Sequence, residues 1–325
     1  MARFLFFLPG DTEYHPFLGV ACRRGVFLLH RMIVFSIPAL FLAAGFSASP
    51  AQTRKGPLKP VIRQVDHILI QADDPRGLFD FFTGTLQLPV AWPIAEYSGF
   101  MSGGVGAGNV NLEVLRLAAA KSSSPGKRAQ ARFMGVALEP IRLADCVIEL
   151  KARGIAFDPP VPYISRLPDG SEGILWTNVA LSRLSRPGLS VFLCEYSPAF
   201  LHTAIRRNQL GGQLVLRKGG PLGIRSVKEI VIATTDPAGD KAAWQKLLLR
   251  ATQPQAASWS AGNGPSIRLV AGTADQIVRI ILQVDSLAAA KEWLAQKQML
   301  GSVAAGQASI KRSSLQGLDI RVVQK

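Results

Sequence analysis

Four segments of the chain open in the same way, and this repetition constrains the fold more than any other feature. An apolar strand pattern leads, a short turn follows, and then Leu, Ala and charged residues recur at helical spacing. The segments read HILIQADDPRGLFDFF from His67, GVALEPIRLADCVIEL from Gly135, EIVIATTDPAGDKAAW from Glu229 and RIILQVDSLAAAKEWL from Arg279. Superimposed without gaps, they put the helix-opening position on Pro75, Leu143, Pro237 and Leu287. Each expected helix carries an apolar face: Leu78, Phe82 and Leu86; Leu143, Val147 and Leu150; Trp244 and Leu247; Ala290, Trp293 and Leu294. Strand-like runs broken by Gly, Pro or Asn follow, among them NVNLEVLRL (109–117), LSVFLCEY (189–196), SIRLVAG (266–272) and GLDIRVVQ (317–324). Each unit is thus a strand, a helix and then about three strands, which cannot cover its own sheet alone, whereas two paired units can. The expectation is an α+β chain of four βαβββ units, paired into two domains with cupped mixed sheets at residues 61–200 and 225–325, with a linker at 201–224.

The front of the chain reads differently. Residues 32–51, MIVFSIPALFLAAGFSASPA, follow Arg31 and end in small residues, which is the pattern of a secretory signal with a cut after Ala51. Its apolar run of about 14 residues is shorter than the roughly 20 that a spanning helix needs. Residues 1–51 are therefore read as a targeting segment and 52–60, QTRKGPLKP, as a linker. An exported protein, periplasmic or secreted, with no membrane span in its mature form is expected; an uncleaved anchor is the alternative. The true start is open between Met1 and Met32.

The formal net charge is +15, but the basic residues are scattered and form no stripe with aromatics, so a nucleic-acid partner is not expected. Cys22, Cys146 and Cys194 show no metal spacing, and the latter two sit in apolar patterns as small buried hydrophobes. The glycine-rich SGGVGAG (102–108) precedes a strand rather than a helix, so it reads as a hairpin turn near the cup mouth, not a phosphate loop. GGPLGIRSV (219–227) reads as an inter-domain turn, and His202 as a surface histidine in a helix-like linker.

The tandem units, the histidine on the leading strand, the last strand NLEVL and the helix SLAAAKEWLAQKQMLG resemble the vicinal oxygen chelate superfamily, which includes glyoxalase I, extradiol dioxygenases and bleomycin- and fosfomycin-resistance proteins. The resemblance covers about residues 61–325 and implies two glyoxalase-like domains. It also implies a metal held by the first and last strands of paired units, commonly by His and Glu. Carried over, those positions fall on His67 and Glu113 in the first unit and on Gly135 and Glu195 in the second. Gly135 supplies no donor. His67, Glu113 and Glu195 would suit a divalent ion such as Zn, Fe, Mn or Ni, with water and substrate completing the shell. In simple alternation Leu112, Val114, Cys194 and Tyr196 pack against the helices, so both glutamates face the cup. The plain alternative makes His67 a half-buried strand histidine and the glutamates edge-strand surface residues.

In the second domain the same positions are Glu229, Arg268, Arg279 and Arg321, a set that cannot hold a metal because arginine is a permanent cation. Either a salt-bridge cluster or an anion site is expected there. Trp92, Phe100, Trp176 and Tyr196 are candidates to line an apolar pocket, with ordinary core packing as the alternative. The implied function is a glyoxalase- or dioxygenase-like, metal-dependent lyase, isomerase or oxygenase acting on a small oxygenated molecule. The alternatives are a metal-free protein that sequesters a small ligand, as resistance proteins do, and a basic second cup that docks an acidic partner.

Overall fold

The structure, a computed structural model, describes residues 59–97, 99–117, 129–249, 251–253 and 257–325. The signal-like segment 1–51 and all but the last two residues of the linker 52–60 lie outside the described residues. Among the described residues no helix is long and apolar enough to cross a membrane.

The first unit runs β1 (Ile62–Ala72), α1 (Pro75–Asp80), β2 (Val90–Tyr97), β3 (Phe100–Gly106) and β4 (Asn111–Leu117). The second runs β5 (Ala131–Pro140), α2 (Leu143–Ala152), β6 (Val161–Arg166), β7 (Glu172–Ala180) and β8 (Ser190–Tyr196). After α3 (Thr203–Leu216), the third runs β9 (Ile224–Thr234), α4 (Pro237–Leu248), β10 (Ala251–Gln253), β11 (Ser258–Trp259) and β12 (Ser266–Ala271). The fourth runs β13 (Gln276–Val284), α5 (Leu287–Gln296), β14 (Leu300–Ala304), β15 (Gln307–Ile310) and β16 (Ile320–Gln324). All four units thus open their helices at the positions that the repeat predicts.

Local chemistry explains three of these starts. Asp74 accepts from the Gly77 amide and Asp236 from the Gly239 amide, each ahead of a proline in the first helical turn, and Ser286 accepts from the Ala289 amide. Such caps satisfy amides that the helix leaves unpaired. The fourth helix, α2, differs: Arg142 at its N-cap makes no side-chain cap.

The strands form two eight-stranded mixed sheets, ordered β2-β3-β4-β1-β5-β8-β7-β6 and β10-β11-β12-β9-β13-β16-β15-β14, one of them strongly curled into a half-barrel. In each unit whose ladder is complete, the first strand pairs parallel with the last, and partner units join by antiparallel pairing of their first strands, β1 with β5 and β9 with β13. The helices cover one face of each sheet. In the first sheet Ile68, Ile70, Leu112, Val114, Val136, Leu138, Val191 and Leu193 point to that covered face and are fully buried, against Leu78, Phe82, Cys146 and Leu150. The alternate positions line the opposite, concave face.

One loop expectation needs correction in part. Gly103, Gly104 and Gly106 of SGGVGAG lie within β3, and of its glycines Gly108, at positive φ, falls in the turn that joins β3 to antiparallel β4. A Cβ on Gly104 would collide with the Trp92 indole, and one on Gly103 with Ile94, so the glycines let β2 side chains lie flat on the strand. The segment 201–224, read as a helix-like linker, is mostly helix. It holds α3, whose Leu210 and Leu214 are buried and whose Thr203 and Arg207 bond Glu139 at 3.1 and 2.6 Å. Gly219 and Gly223, both at positive φ, bracket the short turn that leads into β9. The halves pack as one compact unit from Pro60 to Lys325. Asn109 ties them together, donating to the Val227 and Asn263 carbonyls at 3.0 and 2.9 Å and accepting from the Val227 amide.

Candidate functional site

The polar site of the first half starts from a β-bulge. In the β1–β5 ladder Val65 pairs with Leu138 and His67 with Ala137, so Asp66 has no partner of its own. A bulge re-aims side chains. Here it lets neighbouring residues meet: Asp66 Oδ2 lies 2.8 Å from His67 Nδ1, with both residues buried. The other imidazole nitrogen, Nε2, lies 3.3 Å from Glu113 Oε2 on β4. Ser102 donates to Glu113 Oε1 at 2.7 Å, and the Trp92 indole donates to Ser102 at 3.2 Å. The Tyr196 hydroxyl donates to Asp66 at 3.3 Å, and Arg207 of α3 lies 3.6 Å from the other Asp66 oxygen. The imidazole is therefore held between two carboxylates. Burial works against its charge, but the Asp66 hydrogen bond and the Glu113 and Asp66 charges outweigh it and raise the His67 pKa above its ordinary 6.5.

Glu195 does not join this site. Val191 and Leu193 face the helices, so Phe192, Cys194 and Tyr196 take the concave side and Glu195 the covered one. There its Oε1 accepts from the Leu143 amide at 2.7 Å, supplying the cap that Arg142 does not give α2. Strand register gives the reason for the misplacement. His67 pairs with Asn111 and Glu113 lies two residues on, while Gly135 pairs with Ser190 and the residue two on is Phe192. The strand LSVFLCEY is apolar on both faces, so alternation alone cannot orient it.

The expected set of metal ligands therefore reduces to His67 and Glu113. Phe192 puts its ring against the imidazole, centroids 5.9 Å apart. Gly135 has no room for a donor, since an added Cβ would collide with the Ser190 carbonyl. Among the described residues no group of three or more His, Cys, Asp or Glu side chains is placed to hold a metal ion. The residues present do not fit a resident divalent metal, which needs more donors than a His–Glu pair.

The aromatic candidates gather above this polar floor. Phe100 stacks on Tyr97 with centroids 5.0 Å apart, and Trp176 stacks on Tyr163 at 4.2 Å. Trp176 also meets Tyr196 edge-on at 6.3 Å and lies 6.0 Å from Phe200. Burial, then the charge of Glu113, raises the Tyr97 pKa, which places this phenol within the field of the site carboxylate. Trp92 lies over Gly104 on the same face as Glu113 and reaches the site through Ser102. Tyr97, Tyr163 and Phe200, like Asp66, Ser102 and Phe192, were not singled out by the sequence. An acidic residue beside His67 in VDHILI was the one signal available.

In the second half all four predicted residues occupy the equivalent positions. Glu229 pairs with Ser266 and Arg268 lies two residues on; Arg279 stands beside Asp319 and Arg321 lies two residues on. They form two clusters. Arg268 Nε donates to Glu229 at 2.8 Å. Arg279, Arg312 and Arg321 converge on buried Asp319 at 2.9, 3.1 and 3.2 Å. Burial alone would raise the Asp319 pKa, but hydrogen bonds from Arg321, Arg279 and Arg312 hold it below the usual carboxylate value.

The chain shares its fold, two glyoxalase-like domains with mixed sheets, with solved homoprotocatechuate 2,3-dioxygenase structures. Three structures with TM-scores above 0.5 carry this conclusion. A variant of homoprotocatechuate 2,3-dioxygenase from Brevibacterium fuscum matches 83% of this chain and 74% of its own, at 10% identity and a TM-score of 0.53. The Arthrobacter globiformis homoprotocatechuate 2,3-dioxygenase matches 83% of this chain and 82% of its own, at 11% identity and a TM-score of 0.52. A hypothetical protein from Staphylococcus aureus matches 80% of this chain and 99% of its own, at 11% identity and a TM-score of 0.53. A Mn(II)-bound glyoxalase from Novosphingobium aromaticivorans matches 81% of this chain at 12% identity, with a TM-score of 0.48. No protein-family model and no curated protein sequence matches the chain.

Proposed function

We propose that the first half binds a small aromatic molecule in its cup without a resident metal. The observation that carries this reading is Phe192: its ring occupies the position equivalent to Glu113 and packs on the imidazole that a metal would need. Stacked pairs at Tyr97–Phe100 and Tyr163–Trp176 offer flat walls for a planar ligand. Glu113 and His67 offer an acceptor and a donor at the floor. Fold likeness to glyoxalase and dioxygenase structures places no reaction on this chain.

The test combines metal analysis with ligand-induced thermal shifts using phenol, benzoate and benzylamine. The expected result is less than one divalent ion per chain, a melting point insensitive to chelator, and stabilisation by an aromatic probe that Trp176→Ala weakens. One tightly held ion per chain, lost in His67→Ala, would overturn the reading.

The Asp66–His67 contact favours a second reading, in which the same cup moves a proton. Asp66 fixes Nδ1 and leaves Nε2 to exchange a proton with the ligand, with Glu113 as counter-charge. Turnover lost in His67→Gln while ligand binding persists would support it; equal loss of both would not. An exported location goes with either reading, and N-terminal sequencing of the mature protein should begin near Gln52.

A further inference from the structure

The second cup holds more positive charge than its carboxylates neutralise. Three partly buried guanidinium groups, Arg268, Arg279 and Arg321, face two carboxylates, Glu229 and Asp319, which leaves a surplus of one positive charge; Arg312, whose side chain is 66% exposed, adds a fourth at the solvent edge. Arg268 and Arg279 stand on either side of Val231, on β12 and β13, each paired to that residue of β9. Strands lie about 4.8 Å apart, so these two residues start roughly 10 Å from each other on one face, within the combined reach of two arginine side chains. Each is anchored by Nε alone, Arg268 to Glu229 and Arg279 to Asp319. Among the described residues the terminal nitrogens of both forks make no other hydrogen bond. Their side chains keep 32% and 26% of their accessibility, so the forks are open to a ligand yet partly desolvated. Arg321, bonded to Asp319 and to Gln307, extends the same cationic wall.

We propose that this cup binds the oxyanion group, carboxylate or phosphoryl, of a small molecule between the guanidinium forks of Arg268 and Arg279. The two carboxylates do not compete with it; they aim the arginines. Each accepts a hydrogen bond from Nε–H and leaves the paired terminal N–H groups free for the parallel geometry that matches two oxygens of an anion. A cluster built only for stability would need an acceptor for the uncompensated charge, since half-buried guanidinium without a counter-charge is costly.

The proposal does not depend on the first cup, and the test uses the mature chain. Melting is followed against inorganic phosphate and against succinate, each compared with chloride at equal ionic strength. The expected result is a saturable stabilisation by at least one of the two anions beyond that of chloride. Phosphate alone assigns a phosphoryl ligand, and succinate alone a carboxylate. Arg268→Gln and Arg279→Gln should each weaken the response about tenfold or more. Arg279→Gln also loosens Asp319, so Arg268→Lys serves as the second variant. It keeps the charge beside Glu229 but loses the fork, and it should bind the anion more weakly than the wild type. No stabilisation beyond chloride by either anion, or a response that survives both Arg268 substitutions unchanged, would overturn the proposal.

Discussion

Glu195 separates two accounts of the first half, and its substitution has a calculable outcome. Its carboxylate accepts from the Leu143 amide at 2.7 Å, at the start of a helix whose first turn has no other side-chain cap. Loss of an N-cap acceptor costs about 1 kcal/mol. Loss of a negative charge at the positive end of a helix adds about 0.5 kcal/mol. Glu195→Ala should therefore destabilise the protein by about 1.5 kcal/mol. For a unit of this size that lowers the melting temperature by about 3–6 °C. Glu195→Gln keeps an acceptor without the charge and should recover most of the loss. Because the side chain lies on the covered face of the sheet, neither substitution should change the affinity for an aromatic probe. The assay is thermal melting of the three proteins with and without that probe. A Glu195→Ala protein that melts with the wild type but no longer binds the probe would refute the placement of this residue.

His67 and Asp319 should give opposite pH signatures. The folded pKa of His67 lies above its unfolded value, so its stabilising contribution is complete below about pH 6.5 and is lost as pH rises through the folded value. The melting difference between wild type and His67→Gln should shrink as pH is raised above 6.5, and a difference that grows would contradict the two-carboxylate clamp. The folded pKa of Asp319 lies below 3.8, so its contribution holds above that pH and fades as pH falls through the folded value. Asp319→Asn should cost about 3 kcal/mol in denaturant unfolding at neutral pH, because three arginines lose their shared counter-charge; a change under about 0.5 kcal/mol would show that water serves them as well. Burial pushes the Cys146 thiol up to about 12 and the Cys194 thiol well above its ordinary value. Neither should react with a thiol reagent at neutral pH until the protein is unfolded, and rapid labelling of either in the native state would count against their burial.

The architecture was legible because it rests on local, repeated signals. The gap-free repeat set the four helix starts, three of them marked by Asp-Pro or Asp-Ser, and period-two alternation set the strands. These patterns reflect capping and one-sided burial, which each segment carries in its own residues. The pairing of His67 with Glu113 was legible as well, as was the placement of Glu229, Arg268, Arg279 and Arg321, since each flanking strand has one clearly apolar face.

The composition of the sites was not. Asp66 reaches His67 only because a bulge against β5 re-aims it, and a bulge belongs to the pairing of two strands rather than to either one. Asp319, the buried centre of three arginines, lies just before β16 and acquires its role from Arg279 on β13 and Arg312 in the preceding turn. Glu195 shows the same limit. Its strand is apolar on both faces, so the choice of face fell to the register with β5, and the side chain then meets the amide of Leu143, 52 residues away in the chain. Local periodicity thus determined the elements and their order, whereas the identity of each site's charges was decided by cross-strand register and by amides left unpaired elsewhere, which only the assembled sheets bring together.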